Sequence, residues 1–166
     1  MMTAEDIIKK LNMKAHPMEG GFYIEMYKSA ERFNDPKYGE RAYSTAIYFM
    51  LTTQTFSEMH LLGIDEVYHF YLGDPVEMLN LKPDGTGERI IIANDLEKDM
   101  RPLVTVPGNV WQGSRLLNGG GEYGFALMGT TMAPGFEFRD YQSGKKDELT
   151  PRYPEFGELI DALTNY

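Results

Sequence analysis

His60-Leu61-Leu62-Gly63-Ile64-Asp65-Glu66-Val67-Tyr68-His69-Phe70-Tyr71-Leu72-Gly73 is the stretch on which the reading of this 166-residue chain turns. It holds two of the three histidines. Residues 66–72 are rich in aromatic and β-branched types and read as a strand. Alternation along that strand sets Glu66, Tyr68 and Phe70 on one face, with Val67, His69 and Tyr71 on the other. His60 lies just ahead of it, so the spacing predicts an imidazole folding back beside Glu66 at the mouth of a barrel.

Outward from this stretch the pattern stays short and β-like. Residues 21–27, 43–51, 76–81, 90–92, 103–106, 111–117, 123–131 and 136–141 read as further strands. They are separated by turn chemistry such as Pro83-Asp84-Gly85, Pro107-Gly108 and Asn118-Gly119-Gly120-Gly121. Residues 31–41 are polar, carry Asn34-Asp35-Pro36, and read as a surface loop. Helical periodicity is confined to the ends. Thr3-x-x-Asp6 resembles a capping box ahead of Ile7, Ile8 and Leu11, which predicts a helix over 4–12. Pro154 opens a second helix, whose Phe156, Leu159, Ile160 and Leu163 fall on one stripe. Roughly eight to ten strands with few helices predict an all-β antiparallel sandwich or jelly roll, in a single domain over 1–166.

Charge and composition narrow the partners. Acidic residues outnumber basic ones 25 to 16, for a net charge of −9, and no basic cluster offers a nucleic acid or an anionic membrane surface its counter-charge. The longest uncharged apolar run, 45–56, is about twelve residues, too short to span a bilayer. No cysteine is present, which excludes disulfides, thiolate catalysis and cysteine-based metal sites. The first residues mix Glu5, Asp6, Lys9 and Lys10 into their apolar positions and so lack a signal-peptide core; a cytoplasmic protein is expected.

The spacing around His60 resembles the first motif of the cupin superfamily, His-x-His-x3-Glu-x6-Gly, with Leu62 at the second histidine position and Gly73 at the glycine. Pro107-Gly108-Asn109-Val110-Trp111-Gln112 resembles the second motif, with Asn109 in place of its glycine and Gln112 in place of its histidine. A resemblance over nearly the whole chain is to the fifth cupin family, which has an RmlC-like jelly roll and no assigned reaction. It rests on His16-Pro17-Met18-Glu19-Gly20-Gly21-Phe22-Tyr23, Thr45-Ala46-Ile47-Tyr48-Phe49, Asp65-Glu66-Val67-Tyr68-His69-Phe70-Tyr71 with Gly73-Asp74-Pro75, and Ala133-Pro134-Gly135-Phe136-Glu137-Phe138. Met18 is an extra residue there, and Tyr68 stands where the family has Trp. The resemblance implies a double-stranded β-helix with short N- and C-terminal helices, and a homodimer.

Two chemistries follow from it. A full cupin centre gives a divalent ion three imidazoles and a carboxylate, a set suited to Fe, Mn, Ni or Zn. Here His60, Glu66 and the weaker amide of Gln112 are what remains, so either an ion is held loosely or Leu62 closes the site and the pocket is metal-free. In the metal-free reading His60 and Glu66 form a general-base pair and Tyr48 or Tyr68 donates a proton, as in the sugar-nucleotide epimerases that share this jelly roll. An ionised Glu66 would then raise the His60 pKa. Gln112, Trp111 and Glu25 are candidate substrate contacts: Trp111 as a pocket wall, Glu25 if its strand lies beside the pocket. His69 faces away from Glu66, and His16, held extended by Pro17, reads as structural. The expected protein binds a small polar, sugar- or nucleotide-like metabolite. It acts on that ligand by isomerase- or epimerase-type acid–base chemistry or through a weakly held metal; a ligand-binding or sensing cupin without turnover is the alternative.

Overall fold

The computed structural model describes residues 2–165. Thr3 caps the first helix: its hydroxyl accepts the Asp6 N–H, and the Asp6 carboxylate accepts the Thr3 N–H in return. Helix α1 (Ala4–Leu11) ends at Asn12 in the left-handed region. The strands then follow in chain order: β1 (Lys14–Ala15), β2 (Phe22–Lys28), β3 (Arg32–Asp35), β4 (Gly39–Ala42), β5 (Thr45–Thr52), β6 (Ser57–Leu61), β7 (Glu66–Gly73), β8 (Val76–Leu81), β9 (Gly87–Ile92), β10 (Leu103–Val106), β11 (Trp111–Leu116), β12 (Phe125–Met132) and β13 (Gln142–Ser143). Helices α2 (Lys146–Arg152) and α3 (Gly157–Ala162) close the chain.

Two antiparallel sheets face each other, one ordered β1-β2-β5-β12-β7-β10 and the other β13-β6-β11-β8-β9. This is the cupin jelly roll. Inward residues of both sheets, among them Phe49, Leu51, Tyr68, Val76, Met78, Ile92, Leu116 and Met128, make the central core. Each such side chain contributes about 1.5–3 kcal/mol by leaving water. Both sheets also bury their outer faces. Ile7 and Met13 cover Met50, Phe125 and Leu127 on one side. On the other, Leu149, Tyr153 and the predicted stripe of Phe156, Leu159, Ile160 and Leu163 cover Met59, Leu79 and Leu81.

Three local expectations are corrected, and one helix goes beyond them. Residues 31–41 form the β3–β4 hairpin rather than a loop, anchored by a fully buried Arg41 whose guanidinium meets the Asp140 carboxylate at 2.9 and 3.0 Å and the Gly135 carbonyl at 3.1 Å. Residues 136–141 are not a strand, because Asp140 turns back to accept the Glu137 N–H, which tightens Phe138–Asp140 into a 3-10 turn. His60 lies within strand β6, paired across to Gln112. Helix α2 forms despite Pro151, on the burial of Leu149 and its contact with α3. Gly73, the glycine of the first motif, has φ +111°, and a Cβ there would lie 2.2 Å from the Phe125 carbonyl oxygen. No described helix is long and apolar enough to cross a membrane.

Candidate active site

Between the sheets, beside the core, lies a cavity of about 240 Å³. Its polar wall comes from His16, Glu19, Tyr23, Glu25, Thr45, Glu66, Thr130 and Tyr141, its apolar wall from Ile47, Leu62, Met132, Phe136 and Phe138. Strand alternation explains the inward set on β5 and β7: Thr45 and Ile47 point in with Phe49, and Glu66 with Tyr68. Glu19 arrives differently. Gly20 and Gly21 have φ of +95° and +68°, and a Cβ on Gly20 would lie 2.2 Å from the Phe56 carbonyl oxygen. Only glycine lets this turn press against the barrel and deliver Glu19 to its interior.

Glu66, at the start of β7, is 6% exposed. Its Oε2 accepts the Gln112 amide N–H at 2.9 Å and the Tyr68 hydroxyl at 3.3 Å. Burial, and then the nearby Glu19, push its pKa up. Tyr68 is buried beside two carboxyl groups, and its pKa rises well above the usual value, so it holds its proton.

His60 sits one layer behind the cavity wall, under the Tyr141 ring, which stacks on it at 5.0 Å and 14°. Its Nδ1 lies 2.7 Å from the Glu58 carbonyl oxygen. A carbonyl only accepts, so Nδ1 carries the proton and Nε2 keeps its lone pair. The expected rise of its pKa is corrected: burial lowers it, and the attraction of Glu66 offsets only part of that. Tyr141 donates to the Glu58 carboxylate at 2.8 Å, which Ser143 and Asn165 also bind.

His16, read from the sequence as structural, and Glu19, to which the sequence reading gave no role, form the other half of the cavity. The His16 Nδ1 accepts the Glu19 N–H at 2.9 Å, so its proton is on Nε2. Burial, helped by the nearby His60, lowers its pKa to about 4 and keeps the ring neutral. Glu19 Oε1 accepts the Ser57 hydroxyl at 2.5 Å. Burial raises the Glu19 pKa to about 7, with a further push from Glu58. The signal that could have found the pair was present: a His three residues before a Glu, followed by a Gly-Gly turn that needs close backbone approach.

Of the candidates named from sequence, Glu66 and Glu25 line the cavity, and His60, Tyr68 and Gln112 stand directly behind its wall. Two do not meet it. Tyr48 points to the outer face of its sheet, where it packs near α1 and edge-on to Tyr71 at 5.8 Å, so it is not the expected donor. Trp111 points to the opposite outer face, against the C-terminal helices, and is not a pocket wall. Each has the wrong parity on its strand.

The set does not fit a cupin metal centre. Among the described residues no three His, Asp or Glu side chains converge as a group able to hold an ion. Leu62 presents an apolar wall at the second histidine position. Gln112 turns its N–H toward Glu66, and its Oε1 is buried without a partner. The chemistry left is that of carboxyls and neutral imidazoles.

Comparison with known proteins agrees with the architecture. A hypothetical protein from Leishmania major is 29% identical, with 99% of this chain and 100% of that one covered at a TM-score of 0.90. A Shewanella oneidensis protein is 32% identical over 99% of both chains, TM-score 0.87. The oxalate decarboxylase of Lactobacillus farciminis, solved with formate, is 9% identical over 94% of this chain and 43% of its own, TM-score 0.56, a likeness of fold alone. A search among curated proteins finds no match. A family model described as Cupin superfamily (DUF985) matches residues 5–143, and the chain belongs to that family.

Proposed function

We propose that this cupin is a proton-transfer enzyme, of isomerase or epimerase type, acting on a small carbonyl metabolite without a metal. One observation carries the reading: the carboxyl groups of Glu19, Glu25 and Glu66 and the His16 imidazole face a single cavity, and one of the carboxyls, Glu19, has its pKa raised to about 7. A base is most effective when its pKa lies near the working pH. In this reading Glu19, as carboxylate, takes the proton from the carbon next to the carbonyl. The His16 Nε2–H hydrogen-bonds the carbonyl oxygen as it becomes an enolate. Glu66, whose protonated form burial favours, returns a proton from its own carboxyl. Return to the same carbon from the other face inverts it; return to the former carbonyl carbon of an α-hydroxy substrate, with that hydroxyl's proton passing to the enolate oxygen, moves the carbonyl. In either case Glu19 then releases its proton to solvent and Glu66 regains one. His60 is then a positioning residue, neutral and stacked under Tyr141.

The test is deuterium wash-in. A panel of small aldoses, ketoses and amino ketones is incubated with the protein in D2O and followed by NMR. Wild type should exchange the proton next to the carbonyl of at least one, and Glu19→Gln should lose that exchange. No exchange from any member, with ligand binding intact, would leave a binding or sensing cupin and end the catalytic reading.

A further inference from the structure

The polar wall of the cavity carries one sign of charge. Glu19, Glu25 and Glu66 face it, His16 beside them is neutral, and no lysine or arginine lines it among the described residues. Lys28 and Arg32, on neighbouring strands, are engaged by Glu137 at 3.2 and 3.4 Å. A phosphate or carboxylate ligand would enter here with no Arg or Lys to pair with and the carboxylates of Glu19 and Glu25 to repel it. The rest of the wall is largely apolar and aromatic, with Tyr23, Phe136, Phe138 and Tyr141 among it. Phe136 and Phe138 meet edge to face at 5.1 Å, and Tyr23 packs edge-on to His16 at 4.8 Å. A polyhydroxylated ligand needs many polar partners, and this wall has few. A cation gains from both features, the carboxylates as counter-charge and the ring faces through their quadrupoles.

We infer that the cavity takes a small organic cation, an amine-bearing molecule with an apolar or aromatic flank, with the ammonium between Glu19 and Glu25 and the flank against Phe136 and Phe138. This rests on the reading of the cavity as the ligand site and narrows its substrate to an amine-bearing one. Glu25 sits at the exposed mouth and offers the first charge to an incoming ligand. Glu19 meets Ser57 and His16 and lies near Glu58, Glu66, Tyr68 and Tyr141, none of them cationic at neutral pH. A bound ammonium therefore supplies the positive charge that the cavity lacks. Ligand affinity should rise with pH as Glu19 ionises.

The experiment is isothermal titration at pH 8 with three probes of nearly one shape: benzylamine, benzyl alcohol and benzoate. Benzylamine should bind at least ~10-fold tighter than the alcohol, and benzoate should not saturate. Glu25→Gln, a change at an exposed position, should shrink the preference for the amine, and lowering the pH to 5.5 should weaken the amine while it stays protonated. Equal or tighter binding of the alcohol or of benzoate would overturn the inference and leave the cavity a ligand site. The absence of saturable benzylamine binding up to about 10 mM would also overturn it. Proton transfer is judged apart from this, by the deuterium exchange above.

Discussion

Glu19→Gln should make the protein more stable at alkaline pH, and by an amount that grows with pH. The carboxyl of Glu19 is held at about 7 in the folded protein, against an ordinary value of 4.5, mainly by burial. A raised carboxyl pKa means the folded state binds more protons than the unfolded chain between those two values. The fold is thus favoured below pH 4.5, and that advantage is lost as pH rises through 7. At about 1.4 kcal/mol per pH unit, the full loss is about 3 kcal/mol. Glutamine keeps an acceptor for the Ser57 hydroxyl and has no charge to bury. His16 works in the opposite sense, since its pKa falls from 6.5 to about 4 and stability rises with pH across that window. That contribution is common to both proteins and cancels in the difference. Urea unfolding of wild type and variant at pH 4.5, 6, 7 and 8 is the assay. The variant-minus-wild-type stability should climb by about 3 kcal/mol from the first pH to the last. A difference flat across the series would refute the burial of an ionisable Glu19, and with it the assignment of Glu19 as the base.

The catalytic counterpart is a pH profile of deuterium exchange that rises through about 7 as Glu19 ionises and then levels, read by NMR at fixed substrate. Arg41→Ala should lower stability by about 3–5 kcal/mol in urea unfolding, because it leaves the Asp140 carboxylate buried without its partner. Leu62→His, alone or with Gln112→His, should convert the cavity into a metal site: zinc affinity by isothermal titration at pH 7.5 should rise at least ~10-fold over wild type, and no rise would show that position 62 is not directed as the cupin motif implies. We propose a homodimer through the outer half of β2, where Met26 and Tyr27 are each 55% exposed; a mass near 18.9 kDa by light scattering would count against it.

The elements legible in the sequence were those whose periodicity one local rule decides. The capping box of Thr3 and Asp6, the stripe from Phe156 to Leu163 and the strand carrying Glu66 and Tyr68 each obey a single spacing, and the structure uses each as that spacing requires. The hairpin over 32–42 was hidden because its stability is not local. Polar residues there read as loop until Arg41 is seen to bury its guanidinium against Asp140, about a hundred positions later. Tyr48 and Trp111 failed as site residues for a related reason. Both sheets of this jelly roll are covered on their outer faces, so a large apolar side chain on a strand can be buried on either side and burial alone does not settle direction.

The same long-range effect sets the chemistry. His60 beside Glu66 suggests a charged pair when only the motif is read, since a carboxylate raises a neighbouring imidazole's pKa. In the barrel both are shut away from water, and desolvation outweighs their attraction: the histidine loses its proton and the acid is driven toward keeping its own. With Leu62 in place of a ligand and Gln112 donating to Glu66, burial favours the protonated form of an acid that a full cupin centre would set against a metal. The group left poised between its two states is Glu19, partly open to the cavity and pinned by Ser57. A Gly-Gly turn brings it there from outside the barrel motif. With Leu62 and Gln112 at the metal-ligand positions, the base we propose therefore lies on the segment that folds over the strand histidine rather than on the strand itself.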